Sequence, residues 1–170
     1  MDVIILAAGK GTRLNLTDRP KPLADVNGRP FITFIFDQLI EAGFKKVIVC
    51  VSHMAEKFYE LIGTKYKSLD IIYSIENEPI SPEQSLMNTH SLINGTILVM
   101  NGDTYVDIDL KEYIKEAMDA SGILSFVYNK ENVFAGIRMI KVVDPKIHTY
   151  SGEFTDIGTI ETLEKFRSEQ

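Results

Sequence analysis

The chain has 170 residues, 45% of them hydrophobic, with nine Phe, seven Tyr, no Trp and a formal net charge of −6. That size and apolar content suit a single globular domain over residues 1–170, burying roughly 70% of its unfolded surface without staples. The negative charge excludes a general nucleic-acid binder, whose footprint is a basic patch, and no run reaches the roughly 18 apolar residues that cross a bilayer.

In chain order, residues 3–6 (Val-Ile-Ile-Leu) form an apolar strand pattern that runs into Ala7-Ala8-Gly9-Lys10-Gly11-Thr12-Arg13-Leu14 and then Arg19-Pro20-Lys21-Pro22. No basic segment of a signal peptide precedes this strand. A buried strand ending in a Gly-rich, cation-bearing turn is suited to a phosphate. Gly9 and Gly11 let the backbone curl so that its N–H groups face an anion, and Arg13 and Lys21 add full charges. Positive charge is concentrated here: Lys10, Arg13, Arg19, Lys21 and Arg29 face only Asp2, Asp18 and Asp25 in the same stretch. A small polyanion, in the first instance a nucleotide, is the expected ligand.

Phe31, Phe34, Ile35, Gln38, Leu39 and Ala42 fall on one helical face, which Gly43 terminates, with Lys45 and Lys46 read as its solvated end. A strand follows at 47–51 and contains the single Cys50, which has no partner for an internal disulfide; a reducing, cytoplasmic location is expected. A short helix at 56–62 is stopped by Gly63, and 71–75 reads as a strand. Residues 76–85, punctuated by Pro79, Ser81 and Pro82, read as a surface loop near the site. A helix at 83–93 ends at Asn94-Gly95, and 97–100 is the next strand.

Asn101-Gly102-Asp103 follows, and then Asp109, which can cap a helix over 110–120. Asp107 and Asp109 read as serving that helix start, and His53, His90 and His148 have no ligand spacing. Strands are expected at 123–128 and 135–142, an extended segment at 153–157 and a last helix at 159–168. Alternating strands and helices imply parallel pairing, so the expected fold is α/β: a three-layer α/β/α sandwich with a mostly parallel, Rossmann-like central sheet. In such sheets ligands sit at the carboxyl ends of strands, where both Gly9-Lys10-Gly11 and Gly102-Asp103 fall.

Two common Gly-rich loops do not fit. The dinucleotide fingerprint needs a third Gly where Leu14 stands, and the P-loop needs Lys and Ser/Thr directly after its second Gly, where this chain has Thr12-Arg13. Residues 7–14, then Pro20-Lys21-Pro22-Leu23, then Val26-Asn27-Gly28-Arg29-Pro30, instead resemble the signature of sugar-1-phosphate nucleotidylyltransferases. Asn101-Gly102-Asp103 is similar to that family's metal-binding segment, and Asp156-Ile157-Gly158-Thr159 to its late Asp-Ile-Gly-Thr segment.

The resemblance implies that a phosphorylated acceptor attacks the α-phosphorus of a nucleoside triphosphate and releases pyrophosphate. It implies nucleotide contacts from Leu6, Ala7, Ala8, Gly9, Lys10, Gly11, Thr12, Gln84 and Gly102. Arg13 would face the leaving pyrophosphate and Lys21 the α-phosphate, and Asp103 and Asp156 would bind Mg²⁺. Catalysis would be charge compensation by Arg13, Lys21 and Asp103.

The departures bear on specificity. Family members follow Glu-x-x-Pro-Leu with a Gly-rich turn toward base and sugar; here Glu76-Asn77-Glu78-Pro79-Ile80 leads into Ser81-Pro82-Glu83-Gln84-Ser85. The family's Asn-Ala-Gly-Ile-Tyr acceptor segment corresponds to Phe134-Ala135-Gly136-Ile137-Arg138, and the chain between Tyr128 and Phe154 is shorter. Lys130 and Arg138 are candidates for the acceptor phosphate. A sugar 1-phosphate with a guanylyl lean is the first expectation. A cytidylyltransferase of a small non-sugar phosphate, or a non-catalytic nucleotide-binding subunit, are the alternatives.

Overall fold

The computed structural model describes residues 1–9, 18–121, 123–141, 146–149, 154–156 and 158–169. The elements begin with β1 (Asp2–Leu6), a 3-10 turn at Lys21–Leu23, a hairpin of β2 (Asp25–Val26) and β3 (Arg29–Pro30), and α1 (Ile32–Glu41). Then come β4 (Lys46–Val51), α2 (Ala55–Leu61), β5 (Lys65–Tyr66), β6 (Leu69–Ile75), α3 (Pro82–Asn88) and a 3-10 turn at His90–Leu92. β7 (Ile97–Asn101), β8 (Thr104–Val106), α4 (Leu110–Asp119), β9 (Leu124–Tyr128), β10 (Phe134–Ile140), β11 (Lys146–Thr149), β12 (Phe154–Asp156) and α5 (Ile160–Glu169) complete the order.

The described strands of the main sheet run β11-β9-β10-β7-β1-β4-β6-β5. β6, β4, β1 and β7 are mutually parallel, as expected; β10 runs antiparallel between β7 and β9, and β5 is antiparallel to β6. Val3, Ile4 and Ile5 are wholly buried because β1 is paired on both edges and covered on both faces, which explains its unbroken apolar run.

Side chains alternate between two cores. Val47, Val49 and Val51 join Ile35 and Leu39 of α1, Phe58 of α2, Tyr113 of α4 and Phe166 of α5. Ile48 and Cys50 point the other way, toward Ile4, Val99, Leu86 of α3 and Leu92. The chain steps outward from β1 through β4 to β6, then returns to the far side of β1 at β7. That reversal carries α3 to the face opposite α1 and α2, as right-handed crossovers require. The expected three layers are present, and β1 and β7 border the point where strand order switches.

Some local readings change. The helix expected over 83–93 is two pieces, because Thr89 donates its hydroxyl to the Leu86 carbonyl at 2.7 Å and the chain turns extended at Ile93. Lys46 is not a solvated helix end; it opens β4 and pairs with Asp2 at 2.8 Å. Asp109 does cap α4, accepting from the Lys111 and Glu112 amides at 2.8 and 3.1 Å. Among the described residues no helix is long and apolar enough to cross a membrane.

Candidate active site

The ends of β1 and β7 are in register, Leu6 opposite Asn101, and the Gly102 amide donates to the Leu6 carbonyl at 2.8 Å. A Cβ on Gly102 would meet Ile5, Ala7 and the Leu6 carbonyl at 3.1 Å each. Only glycine lets the β7 end turn this close to β1, and that turn sets Asp103 beside the start of the Gly-rich segment. Ala7 continues from β1, its amide bonded to the Cys50 carbonyl at 2.9 Å; Ala8 is half-buried and Gly9 exposed. Lys10, Gly11, Thr12 and Arg13 lie outside the described residues.

Lys21 occupies the 3-10 turn between Pro20, at φ −65, and Pro22, and the Leu23 amide closes the turn on the Pro20 carbonyl at 2.9 Å. The rings limit the backbone on both sides, and Lys21 is only 8% exposed. Its Nζ lies 3.4 Å from Asp103 Oδ2. That contact is at the long end for a charged pair, so Lys21 can transfer to a stronger anion at little cost.

Asp156 arrives from the far end of the chain. β12 pairs antiparallel with β8, setting Asp156 opposite Thr104, the neighbour of Asp103. Gly158 lies behind it: a Cβ there would stand 3.1 Å from Asp156 Oδ1. Thus the structure brings Lys21, Gly102, Asp103 and Asp156 to the carboxyl end of β1 and β7. Two neighbouring carboxylates are hard oxygen donors, a set that fits Mg²⁺, which takes one or two protein carboxylates and leaves positions for phosphate oxygens.

The hairpin after Lys21 holds this arrangement. Asn27 and Gly28 take φ of 51 and 86, the signature of an Asn-Gly hairpin turn. Asn27 Nδ2 donates to the Arg167 carbonyl at 2.8 Å, and Arg167 Nε donates to the Asp25 carbonyl at 2.6 Å. The segment carrying Lys21 is therefore clamped to α5, the helix that follows Asp156.

Not every cation near the turn faces it. Arg19 pairs with Asp18, and Arg29 bonds Thr33 and Asp37 while lying 3.9 Å over the Phe34 ring. The Gln84 side chain is engaged locally. Its Oε1 accepts from the Ser81 amide at 3.2 Å while Ser81 Oγ accepts from the Gln84 amide, a capping box at the start of α3. A cavity of about 400 Å³ between α1, β8 and α4 is lined by Glu41, Asp107 and Asp109 among others, and its acidic walls do not suit a phosphate.

Sequence reasoning assigned no role to Glu76. It follows β6, its amide donating to the Val51 carbonyl at 2.8 Å, and is 5% exposed. Among the described residues, neither carboxylate oxygen nor the Ser52 hydroxyl beside it has a hydrogen-bond partner. Burial pushes its pKa up, offset only in part by the nearby Ser85 hydroxyl and Ile80 amide. Burial, with Glu76 adding to it, pushes the Cys50 thiol up to about 12, so this cysteine is inert.

A carboxylate whose folded pKa lies above its unfolded value near 4.5 favours the fold below that value, and the contribution is lost as pH rises through the folded pKa. Glu76→Gln is therefore expected to stabilise the fold by about 1–2 kcal/mol at neutral pH and above. The gain should shrink toward pH 4, as read by thermal melts across pH. A difference that does not change with pH would contradict the buried-charge account.

The family model described as Nucleotidyl transferase matches residues 2–134. The chain belongs to this family. It is 40% identical over 114 residues, 66% of its length, to D-glycero-alpha-D-manno-heptose 1-phosphate guanylyltransferase of Campylobacter jejuni, and covers 52% of that protein. It is 31% identical over 129 residues, 75% of its length, to the UTP–glucose-1-phosphate uridylyltransferase AglF of Haloferax volcanii, covering 53%. The chain thus spans about half the length of the curated relatives it matches.

The crystal structure of HddC from Yersinia pseudotuberculosis superposes with a TM-score of 0.83 at 23% identity, over 99% of this chain and 98% of that one. That likeness bears on the fold. These relatives are named for nucleotidyl transfer to sugar 1-phosphates, and the family match agrees with the motifs at the amino terminus.

Proposed function

We propose that the chain transfers a nucleoside monophosphate from a nucleoside triphosphate to a sugar 1-phosphate and releases pyrophosphate. The observation that carries this reading is the buried Lys21, held by two prolines and only loosely paired with Asp103, with Asp156 one strand away. A phosphate oxygen of the acceptor bonds to the α-phosphorus as the bond to the β-phosphate breaks, and the electron pair leaves with pyrophosphate. The attacking oxygen is already ionised near neutral pH, since the second phosphate pKa is about 6, so no side chain need remove a proton.

Lys21 passes from Asp103 to the α-phosphate as charge gathers there. The backbone from Leu6 through Thr12, with Gly102, cradles the triphosphate, and Arg13 meets the departing pyrophosphate. Asp103 and Asp156 would hold Mg²⁺, which supplies further neutralisation of the triphosphate when bound. Gln84 stands at the start of α3, on the side where the base would lie.

Guanine is the base this site suits. Glu76 as a carboxylate presents acceptors only, and the guanine edge offers it two adjacent donor groups, N1–H and N2–H, whereas the uracil and cytosine edges each offer a single donor group beside acceptors. Two of the relatives are named as guanylyltransferases, and a structural neighbour was solved in complex with GMP-PN. A sugar 1-phosphate is preferred over a small non-sugar phosphate because these relatives are named for sugar-1-phosphate substrates.

Pyrophosphate release from each of four triphosphates, paired with mannose 1-phosphate, glucose 1-phosphate or phosphocholine in Mg²⁺, tests this directly. GTP with a sugar 1-phosphate should give the fastest release. Turnover confined to CTP and phosphocholine would replace the reading, and binding of nucleotide without release from any pair would make the chain a non-catalytic subunit.

A further inference from the structure

α3 and one side of β10 share a face of the sheet. Leu86 of α3 and Ile140 of β10 pack with Ile4 of β1 and with Ile97 and Val99 of β7, whereas Ala135, Ile137 and Met139 point into the opposite core. Arg138 alternates with Ile137 and Met139, so its side chain rises on the face that carries α3. Glu83 stands in the first turn of α3, which packs on β1. With the strand order β10-β7-β1, the gap from Glu83 to Arg138 crosses β7, beside the end that carries Asp103.

The two charges face each other without meeting. Among the described residues, Arg138 has neither a hydrogen bond nor an ion pair and Glu83 has no ion pair, although Arg19 and Arg29 both have carboxylate partners. Arg138 is half-buried beside Phe134, whose ring lies 5.9 Å from the guanidinium and 5.9 Å from the rings of Phe126 and Tyr128. Lost water lowers the Arg138 pKa, and Glu83 opposes that loss. The Glu83 carboxyl is in turn held low by its own amide and the Ser81 hydroxyl, and further by Arg138. Each charge acts on the other across a gap too wide for an ion pair.

α3 is lightly held. Of its seven residues only Ser85 is buried, Leu86 is half-buried and Met87 is 75% exposed. Residues 76–81 before it form no regular element, and beyond Thr89 the chain turns extended at Ile93. An element with so little buried apolar surface moves as a unit at small cost. The Ser85 hydroxyl lies near Glu76, the carboxylate proposed above to read the base, so a bound base acts on α3 through the residue beneath it.

We propose that α3 is a lid and that Glu83 and Arg138 are its latch: a nucleoside triphosphate fills the gap, α3 moves toward β10, and the two side chains close into an ion pair. This rests on the nucleotide reading above but needs no turnover. The ligand displaces water from between the charges, which strengthens their attraction, and Glu83 once paired no longer repels the triphosphate. The open arrangement admits the nucleotide; the closed one slows its departure.

The test is a pair of double-mutant cycles on GTP binding, read by calorimetry in Mg²⁺ without acceptor. One cycle uses Glu83→Gln, Arg138→Met and both together; the other uses Glu83→Arg, Arg138→Glu and the exchanged pair. The quantity read is the factor by which each double variant departs from the product of its singles, because any direct pull of either charge on the triphosphate cancels in that factor. A closing latch gives about fivefold or more with GTP and no such coupling in the Tm of the free chain. Amide exchange over 83–88 should slow when GTP binds, and slow less in each single variant. If Arg138→Glu does not fold, the neutral cycle carries the test.

Additive GTP affinities, exchange in α3 that bound GTP leaves unchanged, or a loss in the Arg138 variants confined to mannose 1-phosphate affinity would each overturn the latch. Coupled charges in a chain that binds GTP yet releases no pyrophosphate with any acceptor would sink the transfer reaction and leave the latch standing. Failure to bind any of the four triphosphates would end both.

Discussion

Asp103→Asn is expected to lower kcat by about 10²–10³-fold while leaving the fold in place, the range seen when one transition-state electrostatic contact is removed. Asparagine keeps the shape of the side chain and one oxygen, which can still accept from either Lys21 Nζ or Thr104 Oγ1, now at 3.4 Å from Oδ2 and Oδ1 respectively. What it removes is the negative charge that makes Asp103 a ligand for a hard cation. The Mg²⁺ concentration giving half-maximal rate should rise together with the fall in kcat. A variant with unchanged turnover and Mg²⁺ dependence would show that Asp103 only terminates a strand. Asp156→Asn should act in the same direction, because β12 sets Asp156 opposite Thr104, the neighbour of Asp103, where it would serve as the second carboxylate for Mg²⁺.

Phe166→Ala is expected to cost about 3–5 kcal/mol, a large share of the roughly 5–15 kcal/mol that holds an ordinary domain together. Phe166 is 1% exposed, and its ring meets Phe31 and Phe34 at 5.2 Å and Tyr105 at 5.5 Å. These partners belong to the start of α1 and to β8, so one side chain ties α5 to the strand that carries the register of Asp156. Loss of the ring should loosen α5 and β12 before the central sheet. Amide exchange at 160–169 should accelerate more than at β1, β4 or β7. Phe166→Leu, which leaves a smaller cavity, keeps the comparison available if the alanine variant does not fold. Uniform acceleration over the whole chain would mean that α5 and the sheet unfold as one unit.

The residues of the candidate site differ in how far the sequence alone marks them. Asp103 was legible because Asn101-Gly102-Asp103 directly follows a strand, and Lys21 because two prolines mark a fixed position. The β8 and β12 pairing was not legible. Each is a three-residue strand, too short for a period-2 pattern, and they pair across some fifty residues of chain. Arg19 and Arg29 looked equivalent to Lys21 as nearby charges, but Asp18 and Asp37 hold them, and only folding brings Asp37 to Arg29. Gln84 was read for its amide chemistry, whereas the nearest donor to its oxygen is the Ser81 amide three residues back.

Glu76 and Arg138 are the clearest cases of information that composition and spacing do not hold. A charged residue in a sequence is, to first order, a solvated one. Glu76 becomes unusual only when β4 and β6 pair and α3 folds over it, stripping both oxygens of water while the nearby Ser85 hydroxyl and Ile80 amide compensate only in part. Arg138 becomes unusual only when β9 and β10 bring three aromatic rings to its side.

By itself, the sequence determined the elements whose signals are local: the buried strands β1, β4 and β7, the helix opened by Asp109, the Gly-rich turn and the family to which they belong. Periodicity, caps and turn residues act within a few positions, so they survive without the rest of the chain. Only the tertiary structure decided which charges meet, which lose water and which strands lie side by side. Burial and pairing depend on segments far apart along the chain, and the free energy of a charge is set by what surrounds it.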